Sequence, residues 1–268
     1  TFHFPISSVG ATVNVLLAAT LAEGESVLQN AAIEPEIDNL VDYLISMGAK
    51  IQGRGTRTLV IQGVESLQPG KGVTIADRIE AGTFLCGAVI TRGRVKVTQM
   101  IPEHISAVLD LFREIGCEVT TGDTWVEVDA RNKTLKPVSA ITLPYPGFPT
   151  DLQAPLMATL ASIEGNSLLQ DTIYHDRFTH IAELKRLGAD IQLNGNTATI
   201  LGGKPLEGAD VMASDLRASA ALVLAGLIAE GETTISRIYH LDRGYESFES
   251  KMAALGATIK RIRPQAFD

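Results

Sequence analysis

The chain has no apolar run approaching the roughly 18 residues that a membrane-spanning helix needs. Its opening, TFHFPISSVG, lacks both the basic stretch and the apolar core of a secretory signal. It also lacks an initiator Met, which is compatible with further sequence upstream. Cysteine is nearly absent: Cys86 and Cys117 make neither a disulfide framework nor a metal set. Both sit in apolar helical or helix-ending surroundings that suit plain packing, and the expected compartment is the cytoplasm. Basic residues are outnumbered, 23 Lys and Arg against 31 Asp and Glu, for a formal charge of −8. That balance argues against a broad surface for nucleic acid or anionic membrane. It leaves room for a small anion held by local arginines and helix N-termini. The rest of the composition, 45% apolar and 20% charged over 268 residues, is that of a globular chain long enough for two domains.

What the chain does have is repetition. LAEGES, ITRGRV, SIEGNS and IAEGET each end an apolar helix on a glycine and open a strand, at Gly24, Gly93, Gly165 and Gly231. A second mark follows each time in SMGAKI, EIGCEV, RLGADI and ALGATI, with Gly48, Gly116, Gly188 and Gly256 placed to close a helix in the left-handed conformation before a short strand. Each unit of about 70 residues therefore reads helix, strand, helix, strand, and a further strand follows in the first three. The first helices are apolar nearly all round, as in SDLRASAALVLAGLIAE, and are expected to be buried on every side. The second helices, such as FTHIAELKRLG, are amphipathic and belong outside on a sheet. The fold class is α/β, with repeated units around buried helices. Units two to four can share one helical bundle, which leaves the apolar helix of the first unit without partners. SLQPGKG, at 66–72, reads as a linker. The expected division is 1–70, the last repeat of an incomplete domain, and 71–268, a three-repeat domain.

Polar residues gather where the first helices begin: SSVGAT, ADRIEAG, PTDLQAP and SDLRASA. Helix N-termini present N–H donors and a positive dipole end, and so suit anions. Thr150 with Gln153 matches a capping box, which makes Thr150 the cap and puts Asp151 at the first helical position. An acid there complements the dipole and needs no catalytic role. If Asp151 is instead a general base, burial or a neighbouring anion must offset the dipole, which lowers its pKa. Thr150-Asp-Leu-Gln-Ala is nearly duplicated by Ser214-Asp-Leu-Arg-Ala, which draws in Asp215 and Arg217. Arg217 and Arg243, the latter in RIYHLDRGYES, suit either a clamp on phosphate or carboxylate or a pair of solvated side chains. Glu34 and Glu36 flank Pro35 at a strand-to-helix turn, where Pro suits the first helical position. No residues suggest a metal site.

SVGAT, NAAIEPEI, ADRIEAGTF, YPGFPTDLQAP, ASDLRASAALVLAGLIAEG and HLDRGYES, taken together, resemble the enolpyruvyl transferases, in particular those acting on a UDP-sugar. The matching words run through essentially the whole chain in the family's order. The resemblance implies two inside-out α/β domains of three repeats each, around buried helices. It implies transfer of the enolpyruvyl group of phosphoenolpyruvate to the 3′-hydroxyl of UDP-N-acetylglucosamine, with loss of phosphate and no cofactor. That reaction is the first committed step of peptidoglycan synthesis. By position, Asp151 would meet the sugar hydroxyl as its base, Arg243 would bind phosphoenolpyruvate, and Asp215 and Arg217 would be active-site residues at the domain interface. Ser8, Val9 and Gly10 would meet the nucleotide phosphates and Ile173 would offer a backbone contact, while Glu34, Glu36 and Arg78 would line the cleft. The family's proton-donating cysteine loop would lie upstream of Thr1, and neither Cys86 nor Cys117 stands in that motif. On this reading the 268 residues alone are inactive or nearly so. The alternatives are a shikimate-phosphate acceptor and a non-catalytic binding module of the same fold.

Overall fold

The computed structural model describes residues 1–262; residues 263–268, the tail of the second expected domain, lie outside the described residues. Unit one holds β1 (Phe2–His3), α1 (Val9–Thr20), β2 (Glu25–Gln29), α2 (Pro35–Ser46), β3 (Lys50–Gln52) and β4 (Thr58–Gln62). Unit two holds α3 (Arg78–Ile90), β5 (Arg94–Thr98), α4 (Ser106–Ile115), β6 (Glu118–Gly122) and β7 (Trp125–Asp129). Unit three holds β8 (Ser139–Thr142), α5 (Gln153–Ala161), β9 (Gly165–Asp171), α6 (His180–Arg186), β10 (Asp190–Asn194) and β11 (Thr197–Gly202). Unit four holds β12 (Asp210–Met212), α7 (Leu216–Gly226), β13 (Thr234–Ser236), α8 (Tyr239–Asp242) and α9 (Phe248–Ala254).

The repeat seen in the glycines returns as sheet topology. Unit one orders its strands β1-β2-β4-β3, and unit three orders its own β8-β9-β11-β10. Unit two keeps the same order without the leading strand, β5-β7-β6, and unit four keeps only the leading parallel pair, β12-β13. The leading strands β1, β8 and β12 each run parallel to the strand after the apolar helix, as a helical crossover requires. Gly48, Gly116, Gly188 and Gly256 all close their helices at φ between 91° and 106°, where a Cβ would be strained. The strand expected after Gly256 is not formed: residues 257–262 carry no regular structure.

Two hydrophobic cores result. One spans Phe4 to Ile61, and the other spans Ile79 to Met252. In the second core α3, α5 and α7 pack against one another, with their sheets outside. Every residue of α5 is buried, as are all of α3 except Glu80 and Ala218–Ala225 of α7. Polar side chains in this bundle return their hydroxyls to the helix backbone, Thr83 to the Ile79 carbonyl and Thr159 to the Pro155 carbonyl, which pairs both in the low-dielectric interior. The stretch joining the two cores, 66–77, has no regular structure. Asn39 holds it by donating to the Val73 carbonyl and accepting from the Ile75 N–H.

Candidate active site

The starts of the buried helices lie close together at one end of the bundle, and Asp151 is at their centre. The capping box expected at Thr150 is not formed. Thr150–Leu152 is a single 3-10 turn ahead of α5, with Pro149 preceding it. Thr150 Oγ1 instead donates to Asp171 Oδ2 at 2.6 Å, and Gln153 Nε2 donates to the Arg177 carbonyl at 3.2 Å. The likeness to Ser214-Asp215 is also misleading. Asp215 is itself the cap of α7, its carboxylate accepting from the Arg217 and Ala218 N–H groups at 2.8 and 3.0 Å. Asp77 caps α3 in the same way, through Ile79 and Glu80. Asp77 and Asp215 each stand sixteen residues before their unit's first glycine, Asp151 only fourteen. That offset releases Asp151 from capping.

Asp151 Oδ1 accepts from Arg177 Nη2 at 2.8 Å and from Arg217 Nε at 3.3 Å. Burial pushes the Asp151 carboxyl upward, but the two guanidinium groups outweigh it and leave its pKa below the ordinary value. Arg217 Nη1 also donates to the Tyr245 hydroxyl at 3.1 Å, which lies 2.8 Å from Thr83 Oγ1. Because Thr83 gives its own proton to the Ile79 carbonyl, the tyrosine must donate to Thr83. The chain of donors thus runs from Arg217 into the bundle and fixes the guanidinium. Asp215, held down by its cap bonds and by Arg177 against the upward push of burial, is likewise ionised at neutral pH.

Arg78, the first residue of α3, is buried and meets Glu36 in a two-bond pairing at 2.9 and 3.1 Å. This pair joins the two cores. Burial pulls the Arg78 pKa down, while Glu36, Glu34 and Asp151 together hold it above its ordinary value, so these carboxylates and Arg78 share one electrostatic neighbourhood. Glu34 precedes α2, with Pro35 at the first helical position, and its Oε2 is buried with no hydrogen-bond partner. Thr12 Oγ1 accepts from the Ala32 N–H at 3.0 Å, which brings α1 against the same turn. Ser8 caps α1 through the Ala11 N–H, with Val9 and Gly10 opening the helix at the surface.

Arg243 and Arg217 do not form the clamp anticipated from sequence. Arg217 is committed to Asp151 and Tyr245. Arg243 lies apart in an open cleft of about 540 Å³ with Glu80, Tyr245, Glu246 and Ser247, and its side chain has no ion-pair or hydrogen-bond partner among the described residues. Tyr245 borders both places. Ile173 gives its N–H to Asp171 Oδ1 at 3.0 Å.

Sequence reading missed Arg177, yet the repeat contains its signal. Arg177 stands twelve residues after Gly165, Arg243 twelve after Gly231 and Glu36 twelve after Gly24. The same position, near the start of the second helix, thus carries a charged residue in three units, Arg177 on Asp151, Glu36 on Arg78 and Arg243 in the neighbouring cleft. Asp171 and Tyr245 were missed as well, and no local pattern marks them. Cys86 and Cys117 are buried, and burial pushes their thiols up to about 12 and about 11.

The model of the EPSP synthase (3-phosphoshikimate 1-carboxyvinyltransferase) family matches residues 1–252. The chain is 53% identical over 259 residues to the UDP-N-acetylglucosamine 1-carboxyvinyltransferase of Acinetobacter baylyi, covering 97% of this chain and 62% of that protein. It is also 53% identical over 265 residues to the enzyme of that name from Chloroherpeton thalassium, covering 99% of this chain and 61% of that one. Among solved structures, the enolpyruvyl transferase NikO from Streptomyces tendae superposes with a TM-score of 0.85 at 31% identity, over 94% of this chain and 60% of that one. The chain thus spans about three fifths of the relatives it matches. With its α/β units, its repeated sheet order and a family match over nearly its whole length, the chain belongs to the EPSP synthase family of enolpyruvyl transferases.

Proposed function

We propose that these residues are the larger part of an enzyme that transfers the enolpyruvyl group of phosphoenolpyruvate to the 3′-hydroxyl of UDP-N-acetylglucosamine and releases phosphate. In a cell this would be a cytoplasmic step of peptidoglycan synthesis, and so of wall growth, shape and division. The supporting observation is Asp151, freed from capping and held by two arginines among the helix starts. The 53% identity to two UDP-N-acetylglucosamine 1-carboxyvinyltransferases favours this acceptor over shikimate phosphate.

In this reading Asp151 takes the proton of the sugar hydroxyl. The free site holds it as a weak base. A bound anion that draws Arg177 or Arg217 away would leave burial as the larger influence and raise its pKa toward a useful range. Arg243, unpaired and open, binds the phosphoenolpyruvate, and Arg217 and Asp215 complete the catalytic group. Ser8, Val9 and Gly10 at the start of α1 receive the nucleotide phosphates. The Ile173 carbonyl and Thr150 contact the sugar nucleotide, and Glu34, Glu36 and Arg78 line the cleft. No cofactor enters this scheme.

Residues 1–70 would be the last repeat of one inside-out α/β domain, and 71–268 the whole of another. The exposed apolar side chains of α1, Leu17 at 45% and the adjoining Leu21 at 56%, would be covered by upstream units of the same enzyme. Those units would also bring the proton-donating cysteine, a role the buried Cys86 and Cys117 are unsuited to fill. Losing such a donor costs about 10²–10⁴-fold. Phosphate release from phosphoenolpyruvate and UDP-N-acetylglucosamine should therefore be seen with the full-length protein and not with the 268-residue chain. Robust turnover by the shorter chain would overturn the division of labour. Competition by shikimate 3-phosphate, and not by the UDP-sugar, would overturn the acceptor.

A further inference from the structure

Asp171 is the last residue of β9 and is fully buried, yet among the described residues it has no ion-pair partner. Its four hydrogen-bond donors to the carboxylate are all neutral. Oδ1 accepts from Thr142 Oγ1 at 2.7 Å and from the Ile173 and Tyr174 N–H groups at 3.0 and 2.9 Å. Oδ2 accepts from Thr150 Oγ1 at 2.6 Å. Burying a carboxylate without a counter-ion is costly even when it is well hydrogen-bonded. A purely structural turn needs no such group, since neutral side chains satisfy N–H donors as well.

What the carboxylate adds lies one bond further out. Thr150 gives its only proton to Asp171, so its oxygen is turned to accept from Arg177 Nη1 at 3.3 Å. The other terminal nitrogen of Arg177 donates to Asp151. The guanidinium is therefore held in a fork between Thr150 and Asp151. The second oxygen of Asp171 pins the start of the 172–177 segment, which carries Arg177. One buried carboxylate thus fixes both the turn that presents Asp151 and the segment that presents its arginine.

We propose that Asp171 is a positioning residue of the site. It acts through Thr150 to hold the Arg177 guanidinium on Asp151 and does not itself meet substrate. The proposal rests on the catalytic role assigned to Asp151 only for its kinetic consequence; the geometric part is independent of it.

The test uses Thr150→Val, which removes the hydroxyl at nearly constant shape and leaves Asp171 its other three donors. Thr150→Ser is the conservative control. In the 268-residue chain labelled with ¹⁵N-arginine, the terminal N–H signals of Arg177, identified by their loss in Arg177→Lys, should be resolved in the wild type and in Thr150→Ser. In Thr150→Val they should collapse to a rotationally averaged signal. Asp171→Asn should do the same if it folds, because one acceptor oxygen cannot serve donors that now occupy two. In the full-length enzyme Thr150→Val should lower kcat by about 10²-fold, with Thr150→Ser restoring it. Resolved Arg177 signals in Thr150→Val would overturn the proposal. So would an unchanged kcat accompanied only by a lower melting temperature. A wild-type enzyme that does not turn over these substrates would refute the functional reading alone, and the arginine signals would still decide the role of Asp171.

Discussion

The first unit and the following three are written in the same sequence grammar but buried differently. α1 is as apolar as α3, α5 and α7, yet only Thr12, Leu16, Ala19 and Thr20 are buried along its twelve residues, whereas α5 is buried throughout and α3 everywhere but at Glu80. The sheets of units one and three have the same strand order, so the difference does not come from the unit itself. It comes from neighbours: three apolar helices cover one another on every side, and one alone does not. Full burial of a helix in this fold is a property of the set.

The sharpest break in that comparison comes from truncating one leucine on each side. Leu156→Ala in α5, at a site with no exposure, should cost about 2–5 kcal/mol in urea unfolding. Leu17→Ala on the open side of α1 should stay within about 0.5 kcal/mol in the 268-residue chain. Comparable losses at both positions would mean that α1 is covered after all.

Acid should separate the regions next. His180 is buried in the three-unit region with Nε2 unpaired, and burial holds its pKa down to about 4, whereas His3 of the first unit is exposed. Between about pH 6.5 and about pH 4 the unfolded chain binds a proton that the folded chain refuses. Stability should therefore fall as pH drops through that window, by on the order of 3 kcal/mol, and His180 should contribute no slope above it. Trp125, the single tryptophan, lies in the same region and reports the transition by fluorescence. His180→Gln should flatten the slope; an unchanged slope would show that another group is responsible.

The gentlest contrast is between two helical glycines. A Cβ at Gly82 in α3 would run into the buried Leu152 side chain, while one at Gly10 in α1 would meet nothing within 4 Å. Gly82→Ala should destabilise by about 1–3 kcal/mol. Gly10→Ala should stabilise by up to about 1 kcal/mol. Thermal melts of the two variants moving in the same direction would contradict the difference in crowding.

The parts of this architecture that could be read from sequence are those set by local chemistry. The recurring glycines Gly48, Gly116, Gly188 and Gly256 marked the ends of the amphipathic helices, and all-round apolarity marked α3, α5 and α7, which bury, but also α1, which does not. The leading strands β1, β8 and β12 escaped because two to four residues carry no period, and their pairing partners lie across a helix. The capping box at Thr150 failed because a distant buried carboxylate, Asp171, competes for the same hydroxyl. Asp215 and Asp151 looked equivalent in words, yet a two-residue offset makes one a cap and leaves the other facing two arginines. Arg177 was legible in principle through its repeat position, shared with Arg243 and Glu36. The Tyr245–Thr83 contact joins residues 162 positions apart in the chain and has no such signal.

The central claim is that Asp151 meets the reacting hydroxyl and does not hold the helix. Among the described residues its carboxylate accepts from Arg177 and Arg217 and from no backbone N–H, so Asp151→Asn removes a charge and leaves the backbone hydrogen bonds in place. Phosphate release by the full-length Asp151→Asn protein, measured beside its melting temperature, tests this directly. Turnover should fall by about 10²–10⁴-fold, with the melting temperature shifted by only a few degrees, on the order expected for a loss of about 1 kcal/mol. Retained turnover with a large loss of stability would contradict it.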